Sequence, residues 1–133
     1  MIEPKRIYVA GPYSSEHPEE VSLNVQQAEQ AGRDLLAKGH FPFVPHCMTA
    51  GWETDHRLDY EDFMRLAIAW LRQCDWLVYL APSPGADREL AEAWARGMPV
   101  FYSVEEVPSV GEGKQDLAVA FDAEEGLRGP EVR

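Results

Sequence analysis

The segment "WLVYLAPSPGADRELAEAWARGMPVFY", residues 76–102, decides the fold because it contains a strand, a helix and a second strand in succession. Its apolar start is typical of a strand that is buried on both faces. Ser83 followed by Pro84 predicts the beginning of the helix, and Gly97 predicts its end. A helix between two strands allows them to pair in parallel through a right-handed crossover. The segment therefore predicts a parallel sheet.

The same alternation of strands and helices extends back to the beginning of the chain. Short runs of β-branched and aromatic residues predict strands at residues 6–10, 41–44, 76–80 and 100–102. Apolar residues at helical spacing predict helices over residues 18–38, 60–73 and 84–96. We therefore expect a single-domain, three-layer, doubly wound parallel α/β sheet, Rossmann-like or flavodoxin-like, with four or five strands.

The expected domain covers residues 1–103, and an acidic C-terminal tail, residues 104–133, follows it. Acidic and turn-forming residues dominate this tail, and it has one short apolar run. Two interpretations of the tail stay open, an added edge element and a partly mobile segment.

Composition limits the classes of partner. A net charge of -11 makes a nucleic-acid polymer or an anionic membrane surface an unfavourable partner, whereas a small molecule is compatible with it. No apolar run is long enough to span a bilayer, and the first residues do not resemble a signal peptide, so we expect a cytoplasmic protein. Cys47 and Cys74 show no disulfide pattern, and the four histidines show no metal-ligand spacing. We expect no metal and no cofactor.

In a doubly wound sheet, ligands bind beyond the carboxyl ends of the strands, where three loops of this chain converge. Tyr13 follows a buried strand directly and is well placed to stack on a ligand. A serine N-cap and small residues at the beginning of a helix allow a ligand to approach the backbone amides. The residues that these loops offer to a ligand are Gly11, Tyr13, His46, Ser83, Gly85 and Ala86.

Glu89 lies in the predicted helix on the border between its apolar and charged faces. Helical spacing alone leaves two interpretations open, a solvent-exposed helix charge and a carboxylate that faces the ligand cleft. Under the second interpretation, this helix supplies a reactive carboxylate to the ligand cleft.

Several motifs in order resemble the nucleoside 2-deoxyribosyltransferase superfamily, which includes the nucleoside 5'-monophosphate N-glycosidases. These motifs are "IYVAGPY", "FVPH", "LRQCDWLVYL" and "SPGADRELAEAWARGMPV", and the likeness covers residues 6–102. The resemblance implies that Glu89 is the nucleophile and that a nucleoside or nucleotide is the small-molecule partner. It also implies a homo-oligomer, a dimer or larger, because family members complete their sites from a neighbouring subunit.

Not every position matches the family pattern. Ala67 stands where relatives carry the aspartate that protonates the departing base, and Asp62 is the carboxylate that we expect to replace it. Asn24 and His46 resemble polar substrate-binding positions of some relatives.

The resemblance leaves the reaction open. Ser83 replaces an aspartate of the transferase branch, and a serine tolerates a phosphate better than an aspartate does, which favours cleavage of a (deoxy)nucleoside 5'-monophosphate. The alternatives are deoxyribosyl transfer between free bases, a non-catalytic nucleotide-binding or regulatory domain, and a flavodoxin-like cofactor binder.

Overall fold

The sheet consists of four parallel strands in the order β2-β1-β3-β4. The computed structural model describes residues 2–111 of the chain. The strands are β1 (Arg6–Ala10), β2 (Phe41–Phe43), β3 (Trp76–Tyr79) and β4 (Val100–Phe101). Each neighbouring pair is parallel, including β1 and β3, where Ile7 lies opposite Trp76. The predicted parallel sheet is confirmed, and three of its strands end one residue before the predicted boundary.

Four helices accompany the sheet. They are α1 (Pro18–Ala37), α2 (Pro45–Thr49), α3 (Tyr60–Leu71) and α4 (Pro84–Ala95), with short 3-10 turns at Trp52–Thr54 and Val104–Glu106. The sequence predicts no helix or strand in residues 45–59, but this stretch contains α2 and the first 3-10 turn. Helices this short bury too few residues to produce a periodic pattern, so propensity alone does not show them. None of the helices in residues 2–111 is both long and apolar enough to cross a membrane.

The two faces of the sheet pack against different helices, which produces three layers. Tyr8 and Ala10 of β1 belong to a core cluster with residues of α3 and α4. Ile7 and Val9, which alternate with them along the strand, pack with residues of α1 on the other face. The doubly wound α/β fold is therefore confirmed.

The segment after β4 packs onto the fold instead of leaving it. Val107 and Val110 are 1% and 6% exposed, and Lys38 Nζ donates a hydrogen bond to the Val107 carbonyl at 2.6 Å. The domain therefore extends beyond the expected boundary at residue 103. The rest of the expected tail, residues 112–133, lies outside the described residues.

Strand order reverses at β1, since β2 lies on one side of it and β3 on the other. The loops after β1 and β3 diverge at such a point and leave a crevice at the carboxyl ends of the strands. Asp75 lies at the opposite end of the sheet, where it accepts a hydrogen bond from the Arg6 backbone amide at 2.8 Å. Asp75 directly precedes β3, so it connects the beginning of β3 to the beginning of β1, away from the crevice.

Candidate active site

A cavity of about 340 Å³ lies at the carboxyl ends of β1 and β2, on the sheet face covered by α3 and α4. One wall is the beginning of α4, and α3 contributes an apolar wall next to it. The facing wall is formed by the loop after β1 and by the segment after β2. The predicted ligand-contacting residues that line this cavity are Gly11, Tyr13, His46, Ser83, Gly85, Ala86 and Glu89.

Glu89 faces inward along this cavity, and its side chain is not a solvent-exposed helix charge. The residue is only 7% exposed, and the Tyr8 hydroxyl donates a hydrogen bond to its carboxylate. Burial raises the pKa of Glu89 to about 7, and the hydrogen bond from Tyr8 lowers it in part. Burial and the neighbouring Glu89 charge raise the pKa of Tyr8, so the phenol stays protonated and remains a donor.

The local sequence of α4 explains how Glu89 reaches this place. Ser83 is the N-cap, as predicted, and its Oγ accepts a hydrogen bond from the Ala86 amide at 3.0 Å. Pro84 occupies the first turn, where its missing N–H is not needed. Glu89 follows six residues after the cap, about 9 Å along the helix at 1.5 Å per residue. The cap thus sets both the beginning of α4 and the position of the carboxylate.

The beginning of α4 offers fewer free amides than the sequence analysis expects. The Ala86 amide donates to Ser83 Oγ, and the Asp87 amide donates to the Ser83 carbonyl at 2.8 Å. Pro84 has no N–H, which leaves the Gly85 amide for a ligand. Of the amides of Gly85 and Ala86, which the sequence offers to a ligand, the Ala86 amide is therefore already engaged.

Positive charge is absent from the described lining of the cavity. Among residues 2–111, no lysine or arginine lines it, whereas the carboxylates of Glu53 and Glu89 do. The nearby Arg88 pairs with Glu61 at 2.9 Å, so its charge is engaged outside the cavity. The described lining of the cavity is therefore electrostatically unfavourable for a phosphate dianion.

His46 holds the first loop in place from inside the cavity wall. It is 5% exposed, and its Nε2 lies 3.0 Å from the carbonyl oxygens of both Gly11 and Pro12. Because carbonyls only accept, Nε2 carries the proton, and Nδ1 has no partner among the described residues. Burial lowers the pKa of His46 and favours this neutral form.

Gly11 and Tyr13 lie in the same loop after β1. A Cβ added at Gly11 would lie 3.3 Å from the Leu80 Cβ, so the backbone directly after β1 lies close to the residue directly after β3, before the two loops diverge. The Tyr13 hydroxyl donates to both Glu53 oxygens, at 3.0 and 2.9 Å. It also accepts a hydrogen bond from the Gly51 amide at 3.2 Å, and Tyr13 therefore connects the first loop to the second.

Asp62 is not in the cavity, which corrects its expected role as general acid. Its side chain accepts a hydrogen bond from the Asp59 amide at 2.8 Å in a capping box of α3, and it pairs with Arg65. The Asp59 amide and the Arg65 guanidinium lower the pKa of Asp62, so it is a poor proton donor.

Asn24 is likewise not among the residues that line the cavity. Its side-chain amide donates to the Tyr13 carbonyl at 3.1 Å, which makes it a positioning residue for the first loop. The expected substrate contact from Asn24 is therefore replaced by a contact one step away from the cavity.

The sequence does not predict the roles of several residues of this site. Tyr8 was signalled by alternation, because it faces the same side of β1 as Ala10, but nothing in the sequence indicated its contact with Glu89. Glu53 had no signal, since it lies in a turn without periodicity. Phe43 and Trp70 stack in the cavity wall, with ring centroids 5.3 Å apart and planes at 20°.

A family model described as "Domain of unknown function (DUF7768)" matches residues 5–103, which include every element of the sheet. No curated protein matches the chain.

Proposed function

The chain belongs to the DUF7768 family, and we propose that it is an enzyme that cleaves the N-glycosidic bond of a nucleoside, with Glu89 as nucleophile. The observation that carries this proposal is a buried carboxylate that lines a cavity and accepts a hydrogen bond from the buried Tyr8. Perturbed carboxylates in a cleft are typical of catalytic positions, because structural carboxylates are seldom buried without a cation.

The proposed reaction is a double displacement. A Glu89 oxygen attacks the anomeric carbon, a C–O bond forms, and the C–N bond breaks with its electron pair going to the base. Water then attacks the same carbon and releases the carboxylate. Overall, one water supplies the proton of the free base and the hydroxyl of the free sugar, and the sugar keeps its anomeric configuration.

Tyr8 supports the nucleophile in two ways. Its hydrogen bond orients the carboxylate, and it favours the ionised form that must attack. Because the pKa of Glu89 is about 7, a substantial fraction of the carboxylate is ionised near neutral pH while the group remains poorly solvated and reactive.

The charges along the cavity favour a free nucleoside over a 5'-monophosphate. A phosphate at the beginning of α4 would share the cavity with the Glu89 carboxylate of the same helix, with no lysine or arginine among the described lining residues and one free amide. Ser83 Oγ accepts from Ala86, so its own O–H is available to donate to a neutral 5'-hydroxyl. This reverses the preference for a monophosphate that Ser83 suggests in the sequence.

The apolar part of the cavity suits a nucleobase. Phe43, Phe63 and Trp70 provide aromatic surface against which a flat ring can pack. Ala67 lies in the same wall and supplies no acid, so the departing base takes its proton from water that enters the cavity.

Ala67 is also the observation that favours a second candidate, a non-catalytic nucleoside-binding domain. Such a domain would keep the cavity and the fold without a group that protonates a leaving base. The two candidates differ in one measurable property, which is the release of free base.

The test incubates the protein with a panel of deoxynucleosides and their 5'-monophosphates and measures free base by chromatography. We expect release from at least one deoxynucleoside, slower release from its monophosphate, and no release by Glu89→Gln. Glu92→Gln is the matched control, because Glu92 is on the same helix, pairs with Arg72 and does not line the cavity. Binding without base release by the unmodified protein would replace the enzyme with the binding domain.

A further inference from the structure

Glu53 is a second carboxylate of the cavity, and no step of the proposed reaction uses it. We propose that Glu53 is a specificity residue that accepts a hydrogen bond from an amino group of the base. The cavity then selects nucleosides of amino-bearing bases, such as cytosine or adenine, over their keto counterparts. This inference rests on the proposed function in one respect, since it places the nucleoside in the same cavity.

The carboxylate of Glu53 is held in position by its neighbours. It lies in the 3-10 turn Trp52–Thr54, which follows Gly51 in a left-handed conformation with φ 88°. The Tyr13 hydroxyl donates to both of its oxygens and accepts from the Gly51 amide. Turn and carboxylate are thus fixed to the loop after β1, and a ligand finds Glu53 already oriented.

Glu53 retains free acceptor capacity. A single hydroxyl proton shared between two oxygens leaves most of the carboxylate lone pairs without a donor. Within residues 2–111, no lysine, arginine or histidine forms an ion pair with Glu53. A ligand that donates N–H to this carboxylate forms a charge-assisted hydrogen bond, which is stronger than one between neutral groups.

The topology places Glu53 on the side of the base. α4 packs over β1, β3 and β4, whereas the segment that carries Glu53 follows β2 at the other edge of the sheet. In a displacement at the anomeric carbon, the leaving base points away from the attacking group. Because Glu89 attacks from α4, the base points toward the wall that contains Glu53.

The chemistry of a carboxylate then decides between bases. An ionised carboxylate accepts hydrogen bonds and cannot donate them, so an exocyclic amino group is bound and a carbonyl oxygen in its place is repelled. Cytosine and uracil differ by this exchange, as do adenine and hypoxanthine. Glu53 is solvent-exposed, so water moderates this difference, and the loss of a hydrogen bond to its charged group corresponds to about a tenfold preference.

The test compares deoxycytidine with deoxyuridine in two assays. The first is base release by the unmodified protein, and the second is calorimetric binding to Glu89→Gln, which does not turn the ligand over. We expect about a tenfold preference for deoxycytidine in both. Glu53→Gln should abolish or reverse the preference, because an amide also donates to a carbonyl. Glu61→Gln, which changes a carboxylate of α3 that pairs with Arg88 outside the cavity, should keep it.

The outcomes separate this inference from the proposed function. Base release with equal use of the two nucleosides would overturn the role of Glu53 and leave the nucleophile intact. A binding preference that depends on Glu53, without any base release, would support the role of Glu53 and overturn the enzyme. Absence of binding to both nucleosides would overturn the role of Glu53, as would a preference that persists in Glu53→Gln.

Discussion

Glu89 connects reactivity and stability at the level of one residue. The residue is 7% exposed, and its carboxylate accepts a hydrogen bond from the Tyr8 hydroxyl. Removing a carboxylate from water disfavours its ionised form, so the proposed nucleophile is also a group that destabilises the fold when it ionises.

Glu89→Gln should therefore stabilise the protein at high pH. The pKa of Glu89 is about 7 in the folded state and near 4.5 in the unfolded chain. Protonated Glu89 thus contributes stability that is fully present below pH 4.5 and is lost as the pH rises through 7. With about 1.4 kcal/mol per pKa unit, the variant should gain on the order of 2–3 kcal/mol over the unmodified protein between pH 4.5 and 8. Urea unfolding at both pH values measures this.

If Glu89 were a solvent-exposed helix charge, the other interpretation that helical spacing leaves open, this substitution would have almost no effect on stability. Glu92→Gln on the same helix provides the comparison, since Glu92 is only partly buried and pairs with Arg72. An equal pH trend in both variants would show that Glu89 is not the source.

The pH dependence of base release should follow the ionisation of Glu89. Since the ionised form attacks, the rate should rise as the pH increases through about 7. Tyr8→Phe removes the hydrogen bond that lowers the pKa of Glu89, so the rising limb should move to higher pH. Rate profiles of the two proteins over pH 5–9 measure the shift. A profile that keeps its midpoint in Tyr8→Phe would contradict this role of the tyrosine.

At the scale of elements, Ser83 has two functions at the beginning of α4. It caps the helix, and in the proposed reaction it contacts the sugar. Ser83→Ala should cost about 1 kcal/mol of stability, because the Ala86 amide loses its acceptor. Ser83→Asp should keep this stability, since an aspartate also caps a helix. Chemical unfolding measures both, and base release should fall in Ser83→Ala beyond what its stability explains. Full activity in Ser83→Ala would remove the contact between Ser83 and the sugar.

The elements differ in how far their sequence predicts them. β1 and β3 are continuous apolar runs that bury both faces, and α4 has a cap, a proline and a terminal glycine, so these three were predictable. α2 was not, because five residues carry no period. For the same reason the sequence predicts no element in the cavity wall after β2, and no pattern points to Glu53 within it.

The residues of the candidate site also differ in how far the sequence predicts them. Spacing placed Glu89 on the border of a helix face, and only the packing of α4 against β1 shows that it faces inward. Asp62 was expected in the site because it is a nearby carboxylate. Its capping contact with Asp59 depends on the local geometry of the first turn of α3, which a count of carboxylates does not include.

At the scale of the whole molecule, the described surface contains exposed aromatic side chains outside the cavity. Trp94 on α4 is 60% exposed and Tyr102, which follows β4, is 50% exposed. Large exposed aromatic residues are enriched in interfaces between subunits. We expect a dimer or larger assembly by light scattering at micromolar concentration, and Trp94→Ser should weaken it. A monomer at this concentration would contradict the expectation.

In the proposed reaction, the whole architecture brings one buried carboxylate, that of Glu89, to the anomeric carbon of a bound nucleoside, and a trapped intermediate tests this most directly. The measurement is peptide mass spectrometry of the protein, acid-quenched during turnover of a deoxynucleoside. We predict a sugar ester on the peptide that contains Glu89 and no adduct in Glu89→Gln. Base release by Glu89→Gln at the rate of the unmodified protein, or an adduct on a different carboxylate, would contradict the account.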